Sequence, residues 1–412
     1  MKHRRLSIIT FLSAIIGMSL FSCHNSVNSN NAGLKANAGE DQETIVGSYV
    51  ILDAGQSTGE IDWYGWEQDE ENPDTVKVFS SSDNPSQLVG FVKEGMYKFR
   101  LTVKSGEESS DPDEVRITVL PNPSSRFEDP NLEIMVRAKL EIQIAELTDS
   151  DLLRLDSLQC IVTPDKVVSL EGIENCKNLI FLGMSVEQIS DISPVSTLVK
   201  LKRLDLDQNR LIADISPLSG LTELEWLNLD SNLITDISAL VNLIKLKYLN
   251  LQLNPILSLD AVKNMTELET LKLFQANLTD VSMLANLSKL ECLWIIQSNV
   301  VDIGPFSTLT NIKNLHLAWN QISDISSLAN MEKLEWVALE QNQITDISPL
   351  QNLPNLSYVR LWDNQITNIK PLVDNPNIGE GDIVGLNDNP LDEISINEYI
   401  PELQERGVAV TW

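Results

Sequence analysis

The chain has 412 residues, with 30 Lys plus Arg against 59 Asp plus Glu and a formal net charge of −29 at neutral pH. Charge of that sign repels nucleic acid and anionic lipid surfaces, so neither is an expected partner. Of the three His, His3 and His24 lie near the N-terminus and only His316 falls in a folded region, without a nucleophile motif, a phosphate-binding glycine loop or a His/Cys metal cluster, so neither an enzyme nor a cofactor is expected.

Lys2, Arg4 and Arg5 precede an apolar run from Leu6 to Phe21. The run is too short for a comfortable membrane span and reads as an export signal covering residues 1–22. Its end, Leu20-Phe21-Ser22-Cys23, is similar to the lipobox of bacterial lipoproteins, with Phe21 departing from the residue usual at its place. The resemblance implies cleavage before Cys23 and lipid modification of Cys23. Residues 23–35, rich in Asn and Ser, then read as a flexible polar tether.

Residues 36–120 alternate apolar and polar positions in short runs at 49–52, 61–66, 95–103 and 114–119, separated by turn residues, which predicts a small all-β sandwich. The segments at 36–42 and 52–57, with Trp66 and the run 97–103, resemble PKD-type immunoglobulin-like domains. The usual Trp-Asp-Phe-Gly-Asp-Gly run is replaced by Trp66-Glu67-Gln68. Trp66 is expected in the core, and the domain is expected to be a spacer joined to the next segment by a stiff linker, 121–126, containing Pro121-Asn122-Pro123.

From Leu179 a pattern Leu-x-x-Leu-x-Leu-x-x-Asn-x-Ile/Leu, followed by Asp-Ile-Ser-Pro-Leu or a near relative, returns about every 22 residues. Its first apolar residue falls at Leu179, Leu201, Leu224, Leu246, Leu268, Leu290, Ile312, Leu334 and Leu356, with one inserted residue around Ile212 and Ala213. Such repetition predicts a stacked α/β solenoid with short parallel strands on its concave face and helical or 3-10 turns on its convex face. The Asn at 209, 232, 254, 320, 342 and 364 is expected to pair backbone groups where the chain bends inward, and the Ser before Pro to start the convex turn. Ala276 and Ser298 replace that Asn in consecutive turns. Residues 127–178 read as a helical N-terminal cap, 179–377 as nine repeats and 378–412 as a closing cap, since open solenoid ends expose core and strand edge. Cys160 and Cys176 fall in the cap region, either as a pair or as small buried apolar residues.

This pattern resembles the leucine-rich repeats of internalins, bacterial surface proteins, over residues 127 to 412. Internalins bonded to the cell wall carry a C-terminal sorting signal. None follows the cap here, so anchorage is expected through Cys23, at the outer membrane or cell surface.

Three residues per repeat are expected to face outward on the concave strands. The columns place Trp226 beside Tyr248, Trp294 beside His316, and Trp336 beside Tyr358, with Phe274, Arg360 and Trp362 among them and Trp319 just beyond. Aromatic and Arg side chains dominate binding energies, so these residues are the candidate partner-binding surface. Asp205, Asp207 and Asp230 cluster on adjacent strands and read either as a solvated acidic face or as a Ca²⁺ site. The expected function is a lipid-anchored, adhesin-like monomer that binds an extracellular or envelope protein. The alternatives are a glycan, whose sugar rings stack on Trp and Tyr, or an envelope scaffold.

Overall fold

The computed structural model describes residues 33–78, 81, 84–161 and 163–412. The expected signal, Cys23 and most of the tether lie outside the described residues. The N-terminal sandwich has one sheet of β1 (Gln42–Ile45), β3 (Trp63–Gln68), β5 (Gly95–Ser105), β6 (Glu108–Ser109) and β7 (Asp113–Leu120), and a second sheet of β2 (Ser48–Asp53) and β4 (Ser86–Phe91). Phe91, Tyr97, Phe99 and Trp66 fill the space between them. Strands β1 and β4 have no counterpart among the runs expected from alternation. In β4 the polar Ser86 and Gln87 open the strand and Gly90 contributes no side chain near its end, which masks the apolar rhythm.

The solenoid is a single sheet of twelve parallel strands. They are β8 (Ser157–Gln159), β9 (Phe181–Gly183), β10 (Arg203–Asp205), β11 (Trp226–Asn228), β12 (Tyr248–Asn250), β13 (Thr270–Phe274), β14 (Cys292–Ile296), β15 (Asn314–His316), β16 (Trp336–Ala338), β17 (Tyr358–Arg360), β18 (Ile383–Gly385) and β19 (Ala409–Thr411). The sheet therefore extends beyond the nine repeats, with β8 from the N-terminal cap and β18 and β19 from the C-terminal one. Leu and Ile from every turn form one continuous core beneath it. Residues just before the first Leu of several repeats add a charged ladder on one flank, where the 22-residue spacing sets Lys245 against Glu223 and Lys289 against Glu267, both at 2.7 Å. Exposed pairs of this kind contribute little each.

Most ladder Asn residues are satisfied through both amide atoms, whereas Asn232, in the turn after the inserted residue, keeps its Nδ2 bonds and leaves Oδ1 buried without a partner. Asn342 Nδ2 donates to the carbonyls of Leu317, Leu339 and Glu340 at 2.9, 3.0 and 3.2 Å, and Oδ1 accepts the Ile322 N–H at 3.0 Å. Asn342→Ala strands these buried groups and is expected to lower unfolding free energy by about 2–4 kcal/mol. An unchanged guanidinium midpoint would contradict that role. In the first turn Glu187 takes the Asn place, its Oε2 accepting the Val167 N–H at 2.7 Å. Where Ala276 and Ser298 replace Asn, β13 and β14 lengthen to five residues and pair through Phe274 and Ile296.

Two expectations are corrected, and one left open, the state of Cys160 and Cys176, is decided. The inserted residue lies at Arg210 and Leu211, where Arg210 takes a left-handed φ of 63°, and Ile212 keeps its buried place. Most convex turns are started by Asp rather than by the Ser before Pro, with Ser258 and Asn368 in that place at two turns: Asp191 Oδ1 accepts both the Ser193 N–H at 2.8 Å and its hydroxyl at 2.6 Å. Those bonds hold the Asp191 carboxyl below the usual range, and the same arrangement recurs at Asp280 and Asp324. Cys160 and Cys176 are both free thiols. Cys176 lies in the solenoid core, whereas the Cys160 thiol donates to Gly183 and Ser185 carbonyls near the concave strands. Burial pushes each thiol up to about 12.

The sandwich packs directly on the cap helix α1 (Pro130–Leu140). Gly47, with a φ of 80°, and Gly90 let the backbone of the sandwich approach Glu133 and Ile134, leaving no room for a β-carbon. Asn122 Nδ2 bridges the two parts, donating to Val46 O and Glu133 Oε1 at 3.0 Å each, and Ser48 Oγ donates to Gln143 O at 2.5 Å. Glu133 and Arg137 form an ion pair at 2.8 Å in which each side chain is only 1% exposed. The sandwich and the cap are thus joined by a built interface as well as by the linker at 121–126. Asn122, read from sequence as part of the linker, is one of its hydrogen-bonding centres.

Candidate functional site

Parallel pairing in strict register puts equivalent residues of successive turns side by side, and on the concave face this joins the aromatic side chains into a ribbon. Trp226 and Tyr248 stack at 4.8 Å with an interplanar angle of 8°, and Trp336 and Tyr358 at 5.5 Å with 16°. Between these stacks His316 sits edge-on to Trp294 at 5.6 Å and to Trp336 at 5.1 Å. The gaps are closed by cations. The Arg203 guanidinium lies 5.1 Å from the Phe181 ring and 4.0 Å from Trp226, and Lys272 Nζ lies 5.9 Å from Tyr248 and 4.3 Å from Trp294. Arg360 lies 5.8 Å from Tyr358 at the far end. From β9 to β17 the ribbon spans about 38 Å.

The ribbon changes column as it runs. It follows the first outward position at Phe181, Arg203, Trp226 and Tyr248, shifts to the second at Lys272, Trp294 and His316, and returns to the first at Trp336 and Tyr358. The shift leaves Thr270, Cys292 and Asn314 as smaller residues beside it. Each ring between two strands has neighbours on both sides: Trp226 lies between Arg203 and Tyr248, and Trp294 between Lys272 and His316. Ring edges rather than open faces are therefore presented. Such contacts fix side-chain rotamers before binding.

Of the residues singled out from sequence, Trp226, Tyr248, Trp294, His316, Trp336, Tyr358 and Arg360 come together in the ribbon. Phe274 ends β13 and Trp362 follows β17, both half-buried beside it, while Trp319 sits at the rim, 43% exposed, with a left-handed φ of 55°. Not every outward column position is open: Ile296, Ala318, Ala338 and Glu340 are buried under their neighbours. Phe181, Arg203 and Lys272 belong to the ribbon and were not among the singled-out residues. The columns already contained them, and alternation of cation and ring along a column is the signal that finds them.

Asp205 and Asp230 pair locally, whereas Asp207 Oδ1 is buried without a partner. Asp205 Oδ1 accepts Asn228 Nδ2 at 2.9 Å, and Asp230 Oδ1 accepts the Ser231 hydroxyl at 2.9 Å. Burial, with the Asp207 charge adding to it, pushes the Asp205 carboxyl up, and burial does the same at Asp230. Among the described residues no three His, Cys, Asp or Glu side chains are grouped to hold a metal ion.

The concave array has a solved relative in an internalin (inlF) of Listeria monocytogenes, which is 32% identical, with a TM-score of 0.59 over 71% of this chain and 94% of that one. The chain belongs to the internalin family. Residues 199–256 and 332–374 of the internalin solenoid match leucine-rich repeat models, and residues 38–119 match a PKD domain model. A leucine-rich repeat protein of Leptospira interrogans shares the fold, with 23% identity and a TM-score of 0.59 over 65% of this chain and 70% of that one. The dyslexia-associated protein KIAA0319 homologue of Rattus norvegicus is 32% identical over 125 residues, which are 29% of this chain and 11% of that protein's length. This internalin thus combines an internalin array with a sandwich of a different family.

Proposed function

We propose that the chain is a lipid-anchored, non-enzymatic surface protein that binds a protein partner through the aromatic ribbon of its concave face. The observation that carries this reading is the continuity of the ribbon from Phe181 to Arg360. Its length, about 38 Å, suits a protein interface of standard size better than one sugar chain. The aromatic–cation composition is that of binding hot spots. Sugar recognition needs open ring faces, and the rings of the ribbon cover one another. The experiment is a binding panel of purified extracellular proteins and glycans against the full chain in detergent. A protein hit is expected, weakening as salt screens the concave charges. A glycan hit without a protein hit would overturn the reading.

Anchoring rests on Cys23, similar in its setting to a lipobox cysteine. Among the described residues no helix is long and apolar enough to cross a membrane. Cys23→Ala is expected to move the protein from the detergent-rich to the aqueous phase in a cloud-point partition, since one acyl chain contributes about 0.8 kcal/mol per buried methylene. A variant that stays in the detergent phase would count against lipid attachment at Cys23.

A further inference from the structure

The C-terminal end of the ribbon holds a carboxylate with an unused oxygen. Glu340 stands in the third outward column, just after β16, yet it is only 3% exposed. Its Oε1 lies 3.2 Å from Arg360 Nη1 on β17 and 3.5 Å from His316 Nε2 on β15. Contact with residues of both flanking strands places the carboxylate over β16 itself, where the second-column residue, Ala338, is small and wholly buried. Trp336 of the same strand meets His316 edge-on at 5.1 Å, and Trp362 occupies the next place in Glu340's own column. The second oxygen, Oε2, is buried and has no hydrogen-bond partner.

A carboxylate has about four acceptor sites, and here those of one oxygen are unused in a setting where water is excluded. Buried charge of this kind is stabilised when further donors complete its hydrogen bonds. Trp336, on the same strand, and Trp362, in the next place of the column, favour a donor that also carries positive charge. We propose that Glu340 is the floor of a receptor for one cationic side chain of the protein partner, an Arg or Lys whose N–H donates to Oε2 between Trp336 and Trp362. The half-exposed Arg360 and Trp362 side chains form its rim and move aside to admit it. A guanidinium suits the site best, because its planar fork can reach a carboxylate while lying against indole. This inference rests on the concave-face reading of function.

The test titrates the full chain in detergent with N-acetyl-arginine methylamide, followed by tryptophan fluorescence, beside the uncharged citrulline analogue. The expected result is a saturable change with arginine, and binding at least about 10-fold weaker for citrulline, for Glu340→Gln and for Trp362→Ala. Trp362→Ala leaves the buried carboxylate in place, so it separates loss of the receptor from misfolding of Glu340→Gln. An equal response to citrulline, an undiminished response in both variants, or no saturation up to about 100 mM would overturn the proposal. If the arginine probe fails while Trp336→Ala with Tyr358→Ala still abolishes partner binding, the receptor falls and the concave-face reading stands.

Discussion

Arg137→Met is expected to lower the stability of the chain by about 3–5 kcal/mol, the cost of leaving a buried charge without its partner. Arg137 is wrapped on every side. Its Nε and Nη2 both donate to Glu133 Oε1 at 2.8 Å, and its Nη1 donates to the carbonyls of Gln143 at 3.3 Å and Ala145 at 2.8 Å. Removing it exposes more than one deficit. The Glu133 carboxylate keeps the Asn122 amide and the Ser125 hydroxyl but loses its counter-charge, the Ala145 carbonyl loses its Arg137 donor, and the Gln143 carbonyl is left with Ser48 Oγ. Because Asn122 and Glu133 also tie the sandwich to α1, the loss is expected to loosen both parts together. Scanning calorimetry should show a lower transition, and limited proteolysis should show faster cutting between residues 121 and 126. Glu133→Gln combined with Arg137→Met should recover part of the loss, since it removes the orphaned charge. A single variant within about 0.5 kcal/mol of the parent would contradict the role given to the pair.

Trp336→Ala combined with Tyr358→Ala is expected to weaken partner binding at least about 100-fold, close to 3 kcal/mol, while leaving the melting temperature nearly unchanged. Both rings are half-buried on the concave surface and outside the leucine core, so their removal opens no internal cavity. The binding loss should exceed what two contacts supply. His316 leans edge-on against Trp336, and Arg360 lies against Tyr358, so both neighbours lose their fixed positions. Lys289→Ala, which removes an exposed flank pair with Glu267, should leave binding unchanged. A double-variant loss below about 5-fold would contradict the ribbon's role.

The solenoid was readable from Leu179 onward because each repeat carries its own local signals: alternation at Leu204 and Leu206 or Leu227 and Leu229, and an Asn at a fixed distance. The pairing of Trp226 with Tyr248, and of Trp336 with Tyr358, followed from constant spacing, since strict register turns sequence distance into lateral contact. What escaped the sequence depends on contacts that spacing does not encode. Arg203 and Lys272 complete the ribbon only because their chains fold along the strand rows onto neighbouring rings. Glu340 reads as a solvated acid until Ala338 and Ala318 leave space for it to lie down. The sandwich–cap interface likewise joins Val46 and Ser48 to residues about 75 to 95 positions away, a separation over which no periodic signal runs. The Asp that starts most convex turns reads as a neighbour of the capping Ser because both residue types cap turns, and only the bond direction separates them.

The most direct measurement is site-specific photo-crosslinking of the bound partner. A photoreactive residue at Asn314, exposed on the concave face between Cys292 and Trp336, is expected to capture the partner, and one at Ser326 on the convex back is not. Capture from Ser326 with none from Asn314 would contradict recognition through the concave ribbon.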